Sequence, residues 1–237
     1  MRSLLIFIVL ISCIIVSCSN HRSTNDVKYS GSLHAIMKGE IGAAIALKEV
    51  EKIPNLYALG AAENLKGEIQ IFNGIPEVSK KLDQSIILDH SFDASAELLV
   101  YTSVKEWENI DVPSMVKSQG QFEIFLVQEA KKVGIDISKP FAFLLSGNIT
   151  KLNWHIIDWD KSQGDHSPQN HLNSGLNGVL AYGDVEILGF FSKQHEGVFT
   201  HKGSKTHMHF RTDGVSLAGH VDRIFLGENM TLKLPKN

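Results

Sequence analysis

The first strong pattern along the chain is an apolar run at residues 4–16, preceded by Arg2 and closed by Ser17-Cys18. It is shorter than the ~20 residues a spanning helix needs. A basic residue ahead of a short apolar stretch is the layout of a secretory signal peptide. Polar residues follow, and from about position 30 the alternation of apolar and polar positions predicts folded elements. Residues 32–37 and 42–53 read as short helices, the second from Ala44, Ile45, Leu47 and Val50 at near-helical spacing. Residues 68–72 (Glu-Ile-Gln-Ile-Phe) alternate as a strand and run into Asn73-Gly74, a turn pair. A second strand is predicted at 97–104. A helix is predicted at 115–133, with Gly120 a point of interruption and Gly134 suited to its C-cap. Strands follow at 141–145, 149–157, 178–182, 185–192, 206–211, 217–226 and 230–234, with a polar loop at 162–177 that carries His166 and His171. Helices in the first half and strands throughout give an α+β fold of two packed α/β portions. The expectation is a mixed sheet over 31–140 and an antiparallel, barrel-like, β-rich portion over 141–237.

Both cysteines, Cys13 and Cys18, lie in the leader, so the body of the protein has no disulfide. Ile15-Val16-Ser17-Cys18 resembles a bacterial lipobox. Residues 1–17 are then a lipoprotein signal peptide, Cys18 carries the lipid, and 18–30 form a tether. Ser19 after the cysteine points to the outer membrane, the periplasmic face of the cell envelope. Without Arg2 the chain keeps 22 basic and 26 acidic residues, net −4. No basic run suggests nucleic acid, and the expected membrane contact is through the lipid alone. About 210 residues remain, enough to bury a sizeable core.

Candidate chemistry lies near the C-terminus, in Thr206-His207-Met208-His209-Phe210 and Ala218-Gly219-His220-Val221. Residues i and i+2 of a strand share a face, and Asp213-Gly214 between the two runs is a hairpin signal. A turn centred on that pair sets His207 opposite His220 and His209 opposite Ala218, with opposed Cβ atoms roughly 5 Å apart. Three imidazoles then converge on one face. Three histidines with a fourth tetrahedral position open are the ligand set of a catalytic zinc.

Four segments together resemble the bacterial α-acetolactate decarboxylase family over nearly the whole body of the chain. Ser32-Leu33-His34-Ala35-Ile36-Met37-Lys38-Gly39 is similar to that family's S-x-x-A-L-L-x-G opening. Gly60 through Gly74, with Leu65-Lys66-Gly67-Glu68, is similar to G-T-F-x-x-L-D-G-E-x-x-x-x-D-G. Leu188-Gly189-Phe190-Phe191-Ser192 resembles G-F-W-x-P. His207-x-His209-Phe210 with Gly219-His220-Val221 matches H-x-H-F and G-G-H-V. The resemblance implies a homodimer and a zinc held by His207, His209 and His220, and conversion of acetolactate to acetoin and carbon dioxide. It also makes Glu68 the residue that handles the proton.

The chain departs from the family around the substrate. Counting from Gly147, the position of the family's carboxylate-binding arginine is His155. An imidazole lacks the guanidinium's permanent charge and bidentate fork. His155 is thus expected to take part in catalysis and substrate binding, with Arg211 or Lys151 supplying the cation. The family's second glutamate lies in a C-terminal extension beyond Asn237, and Glu63 and Glu228 are replacements by residue type. Three alternatives stay open: a metal-dependent lyase acting on another hydroxy-keto acid, a non-catalytic metal-binding lipoprotein, and a degenerate fold kept for protein contacts that binds no stoichiometric metal.

Overall fold

The computed structural model describes residues 26–160, 162 and 164–236. The expected signal peptide, Cys18 and most of the expected tether lie outside the described residues. Two antiparallel sheets carry the fold. The N-terminal sheet contains β1 (Lys28–Ser30), β2 (Ile45–Ala46), β3 (Leu56–Ala62), β4 (Glu68–Phe72), β5 (Ile75–Leu82), β6 (Ser85–Asp89) and β7 (Ser95–Ser103). Its order is β1-β7-β3-β4-β5-β6, with β2 also on β7. Every pairing in it is antiparallel, so the expected mixed sheet is corrected. A parallel pair needs a crossover of a dozen or more residues, and β3, β4, β5 and β6 follow one another through short turns. β1 occupies the last residues assigned to the tether.

The second sheet contains β8 (Trp107–Asp111), β9 (Phe141–Ile156), β10 (Leu176–Phe191), β11 (Thr206–Thr212), β12 (Ala218–Leu226) and β13 (Thr231–Pro235). Its order is β10-β11-β12-β9-β13-β8, and β9 also pairs with β10. The pairings β9–β10, β10–β11, β11–β12 and β12–β9 therefore return on themselves. β9 and β10 each replace two predicted strands. Gly147-Asn148 and Gly183-Asp184 read locally as breaks, but both lie inside one ladder, where Asn148 pairs with Asp184.

Local chemistry explains the elements that matched. Asn73 and Gly74 both have positive φ (49° and 78°), the two-residue turn that joins β4 to β5. Helix α1 (Leu33–Met37) is capped by the Ser32 side chain. Helix α2 (Gln119–Lys132) starts later than predicted because Ser118 and Gln121 form a capping box. Gly120 does not interrupt it, and its Phe122, Phe125, Leu126 and Ala130 pack on β9 and β10.

Tertiary contacts overrode the pattern elsewhere. Residues 42–53 form β2 and a 3₁₀ turn, because Ile45 and Ala46 pair with Ala96 and Ser95, while Leu47 and Val50 bury beside Ile69 and Ile71. The second half is not all β. The loop at 162–177 contains α3 (Pro168–Ser174), started by a Ser167 cap and Pro168 in the first turn.

β4 sits between two environments. Ile69 and Ile71 join the apolar cluster on one face of the N-terminal sheet. Glu68 and Gln70, on the opposite face, reach the second sheet, where Gln70 meets His209 and Glu68 meets the backbone of Ile157. Beside them the sheets are joined by an apolar layer that includes Leu59, Leu98, Leu144 and Phe190.

Candidate metal centre

β11 places His207 and His209 on one face by strand periodicity, both buried. β12 brings His220 to the same face, in a register that differs from the expected one. His209, not His207, lies opposite His220, and Arg211 lies opposite Ala218. Asp213-Gly214 is not a two-residue turn. It belongs to a five-residue connection in which Gly214 and Val215 have positive φ and Thr212 N–H bonds Leu217 O. The register shifts by two residues, and an even shift keeps every side chain on its face. The three rings remain neighbours, with centroids 5.1, 5.2 and 5.3 Å apart. Gly219 permits this approach: a Cβ there would lie 2.8 Å from the His155 carbonyl oxygen.

His155, on β9, lies directly opposite His220 on its other side. Asp222 Oδ1 joins the two, 2.7 Å from His155 Nδ1 and 3.2 Å from His220 Nδ1. A β-bulge between Val221 and Arg223 accompanies this placement. His155 Nε2 is 3.6 Å from Glu68 Oε1, and His209 Nε2 is 3.7 Å from Glu68 Oε2. Glu68 also accepts the Ile157 N–H at 3.2 Å. His209 Nδ1 lies 3.3 Å from Gln70 Oε1. A fourth imidazole completes the group. His201 Nε2 lies 3.2 Å from His220 Nε2, and the nitrogens of His201, His207 and His220 all fall within 4.8 Å of one another.

Carboxylate and amide partners on the Nδ1 side fix these tautomers. Nδ1–H of His220 donates to Asp222, and Nδ1–H of His209 donates to Gln70. Their Nε2 lone pairs therefore point inward, the outer-shell arrangement of histidine metal ligands. His207 Nε2 is 3.3 Å from His209 Nε2. Bare lone pairs at such distances repel, and a shared cation relieves them. A tetrahedral ion with nitrogens at about 2.0–2.1 Å spaces those nitrogens roughly 3.3 Å apart. The donor set fits zinc.

Burial among other imidazoles holds His207 and His209 far below the ordinary histidine range. Neutral imidazole is the ligating form. His155 behaves oppositely. Burial opposes its charge, but the Asp222 hydrogen bond and the charges of Glu68 and Asp222 outweigh it and raise its pKa. Asp222 is itself held below the usual carboxylate range: its hydrogen bonds and charge contacts with His155 and His220 outweigh burial.

Glu68 is 4 % exposed. Burial raises its carboxyl from 4.5 to about 7, against the opposing pull of His155 and the Ile157 N–H. In the metal-free protein the folded state thus holds this proton more tightly than the unfolded chain. The stability from this group is complete below pH 4.5 and is lost as pH rises through about 7. The change is on the order of 3 kcal/mol. Glu68→Gln is expected to flatten that slope in metal-free protein, read as melting temperature against pH. Equal slopes for both proteins would show that Glu68 ionises freely.

Arg211 does not serve the expected cationic role. Its guanidinium bonds Glu186 at 2.6 and 3.0 Å and Glu77 at 2.6 Å, and stacks 4.2 Å from the Phe72 ring. Glu77 is 1 % exposed. Arg211→Met strands that carboxylate and is expected to cost about 3–5 kcal/mol of stability, with metal stoichiometry unchanged. Adding Glu77→Gln should restore much of the loss. Denaturant unfolding of the single and double variants checks this, and additive losses would remove the coupling. Lys151 is exposed. It lines a cleft of about 420 Å³ whose wall includes Asp222 and Arg223. Glu63 and Glu228 are exposed, and the second carboxylate beside the histidines is Asp222.

Sequence reasoning missed His201, Asp222 and Gln70. Asp222 follows His220 by two residues, a same-face signal blurred by the bulge. His201 and Gln70 carried no local signal. His166 and His171 of the α3 loop pair at 3.0 Å and pack on Trp159. Burial, then the neighbouring His166 and His155, push His171 down to about 4.

No family model and no curated protein matches the chain. Solved structures do. A Staphylococcus aureus protein of unknown function similar to alpha-acetolactate decarboxylase superposes with a TM-score of 0.71 at 15% identity. Acetolactate decarboxylase from Bacillus subtilis subspecies spizizenii gives 0.70 at 16%, and that from Bacillus subtilis strain 168 gives 0.68 at 17%. Each alignment covers 90% of this chain and 86% of the other. The chain has the acetolactate decarboxylase fold. At such identity the likeness extends to the arrangement of the two sheets, and the chemistry rests on the side chains themselves. Among the described residues no helix is long and apolar enough to cross a membrane.

Proposed function

We propose that the protein is a metal-dependent carboxy-lyase that converts 2-acetolactate to acetoin and carbon dioxide. The observation that carries this reading is a cluster of neutral histidine nitrogens with a buried carboxyl group, Glu68, 3.7 Å from the Nε2 of His209 and raised in pKa to about 7. His207, His209 and His220 would hold the ion. When bound, zinc supplies Lewis-acid stabilisation to the charge that develops as the substrate loses carbon dioxide.

The remaining work falls to the protein. The bond between the carboxylate and the hydroxyl-bearing carbon breaks, and its electron pair passes into an enediolate. Protonated Glu68 delivers its proton to carbon, giving the ketone product. His155, 3.6 Å from Glu68 and anchored by Asp222, is placed to return a proton to it. Lipid attachment at Cys18 and a homodimer belong to the same proposal. Mass spectrometry of the N-terminus and light scattering test them.

The direct experiment is acetoin release from racemic acetolactate by the zinc-loaded full-length protein. Zinc-dependent acetoin above the metal-free background supports the reading, and one bound zinc with no acetoin excludes this substrate. One observation favours a second substrate. Both nitrogens of His155 face carboxylates, so the arginine's expected position offers no free cation to a substrate carboxylate. A hydroxy-keto acid that presents its carboxylate elsewhere fits this geometry, and a substrate panel on the same preparation distinguishes it.

A further inference from the structure

We propose that His201 is a fourth nitrogen donor to this centre and its exchangeable one, closing the site from the β10–β11 connection and leaving it when substrate enters. The inference rests on the metal-centre reading above.

The three other donors are buried, and two of them are held from behind. They project from strands, with 4 %, 0 % and 7 % exposure for His207, His209 and His220. Asp222 holds His220 from behind, and Gln70 holds His209. His201 differs in each respect. It lies in a connection, residues 201–203 are exposed, and Gly203 has a positive φ of 79°. Among the described residues its imidazole makes no side-chain hydrogen bond except the approach to His220 at 3.2 Å.

Yet its ring aims inward, nearly edge-on to His220 and His207 at interplanar angles of 85° and 77°. The compact triple of ligand nitrogens is His201, His207 and His220, rather than the three histidines on the strands. Four imidazoles would fill a tetrahedral ion completely. A hydroxy-keto acid that chelates through two oxygens needs vacant positions, so one donor must yield. His201 has the least to lose, since it lies off the strands in an exposed turn closed by the Ser204 N–H on its own carbonyl oxygen. Ser192 N–H bonds Lys205 O at one end of the connection, and a turn around His195 O receives the N–H groups of Val198, Phe199 and Thr200.

The test uses the full-length chain loaded with cobalt(II), with affinity measured by chelator competition and coordination by visible absorption. His201→Ala, His201→Gln and Lys202→Ala are compared with the wild type, and circular dichroism checks folding. One equivalent of cobalt is expected in all four. Affinity should fall about 10–100-fold in both His201 variants, with altered absorption bands that azide perturbs at lower concentration than in the wild type. Lys202→Ala should match the wild type. Unchanged affinity and bands in both His201 variants would overturn the fourth-donor assignment while leaving the centre itself in place. A wild type that binds no stoichiometric cobalt would instead overturn the centre, and this inference with it.

Discussion

His209→Ala is expected to weaken zinc binding steeply and to abolish acetoin release. His209 is fully buried, its Nδ1 is held by Gln70, and its Nε2 lies 3.3 Å from His207 Nε2 and 3.7 Å from Glu68. Alanine removes the nitrogen nearest Glu68 and leaves only His207, His220 and the exchangeable His201 as nitrogen donors. Zinc at 100 times its dissociation constant should stabilise the wild type by about 2.7 kcal/mol. In a chain of this size that is a rise of roughly 5–10 °C in melting temperature. The variant should show no rise. Metal analysis after gel filtration and melting with and without zinc are the measurements. A His209→Ala protein that retains one zinc and the full thermal shift would remove His209 from the ligand set.

Glu68→Gln separates proton handling from metal binding. Glutamine keeps the shape and can still meet the Ile157 N–H through its amide oxygen, but it cannot deliver a proton to carbon at neutral pH. General acid catalysis typically contributes 10²–10⁴-fold, so kcat should fall by about that factor. Zinc content should remain near one equivalent. If Glu68 matters only as an additional ligand, the variant loses zinc affinity and activity together. Equal turnover in both proteins would assign the proton step elsewhere. His155→Gln gives a milder expectation. Asp222 still orients the side chain, and kcat should fall less than for Glu68→Gln, because His155 acts on the substrate through Glu68.

Much of the site was legible along the chain because it depends on short spacings. His207 and His209 are two apart on a strand, and His220 follows after a connection whose two-residue shift left every side chain on its face. The Asn73-Gly74 turn, the β4 alternation and the apolar face of α2 are likewise local, set by φ/ψ preference and side-chain period. Even the misplaced helix at 42–53 was a local pattern that the long-range pairing of Ile45 and Ala46 with β7 overruled. Only the tertiary structure decided what surrounds the histidines. Glu68 and Gln70 arrive from another sheet, His155 arrives from the far side of β12, and His201 swings in from a connection with no periodicity to read. Arg211, a candidate clamp by residue type, was claimed by Glu77 and Glu186 because a buried carboxylate needs a partner more than the site needs a cation. Strand period fixes which face a side chain takes. Which neighbours meet it there depends on how two sheets pack, and that is settled by burial over the whole core.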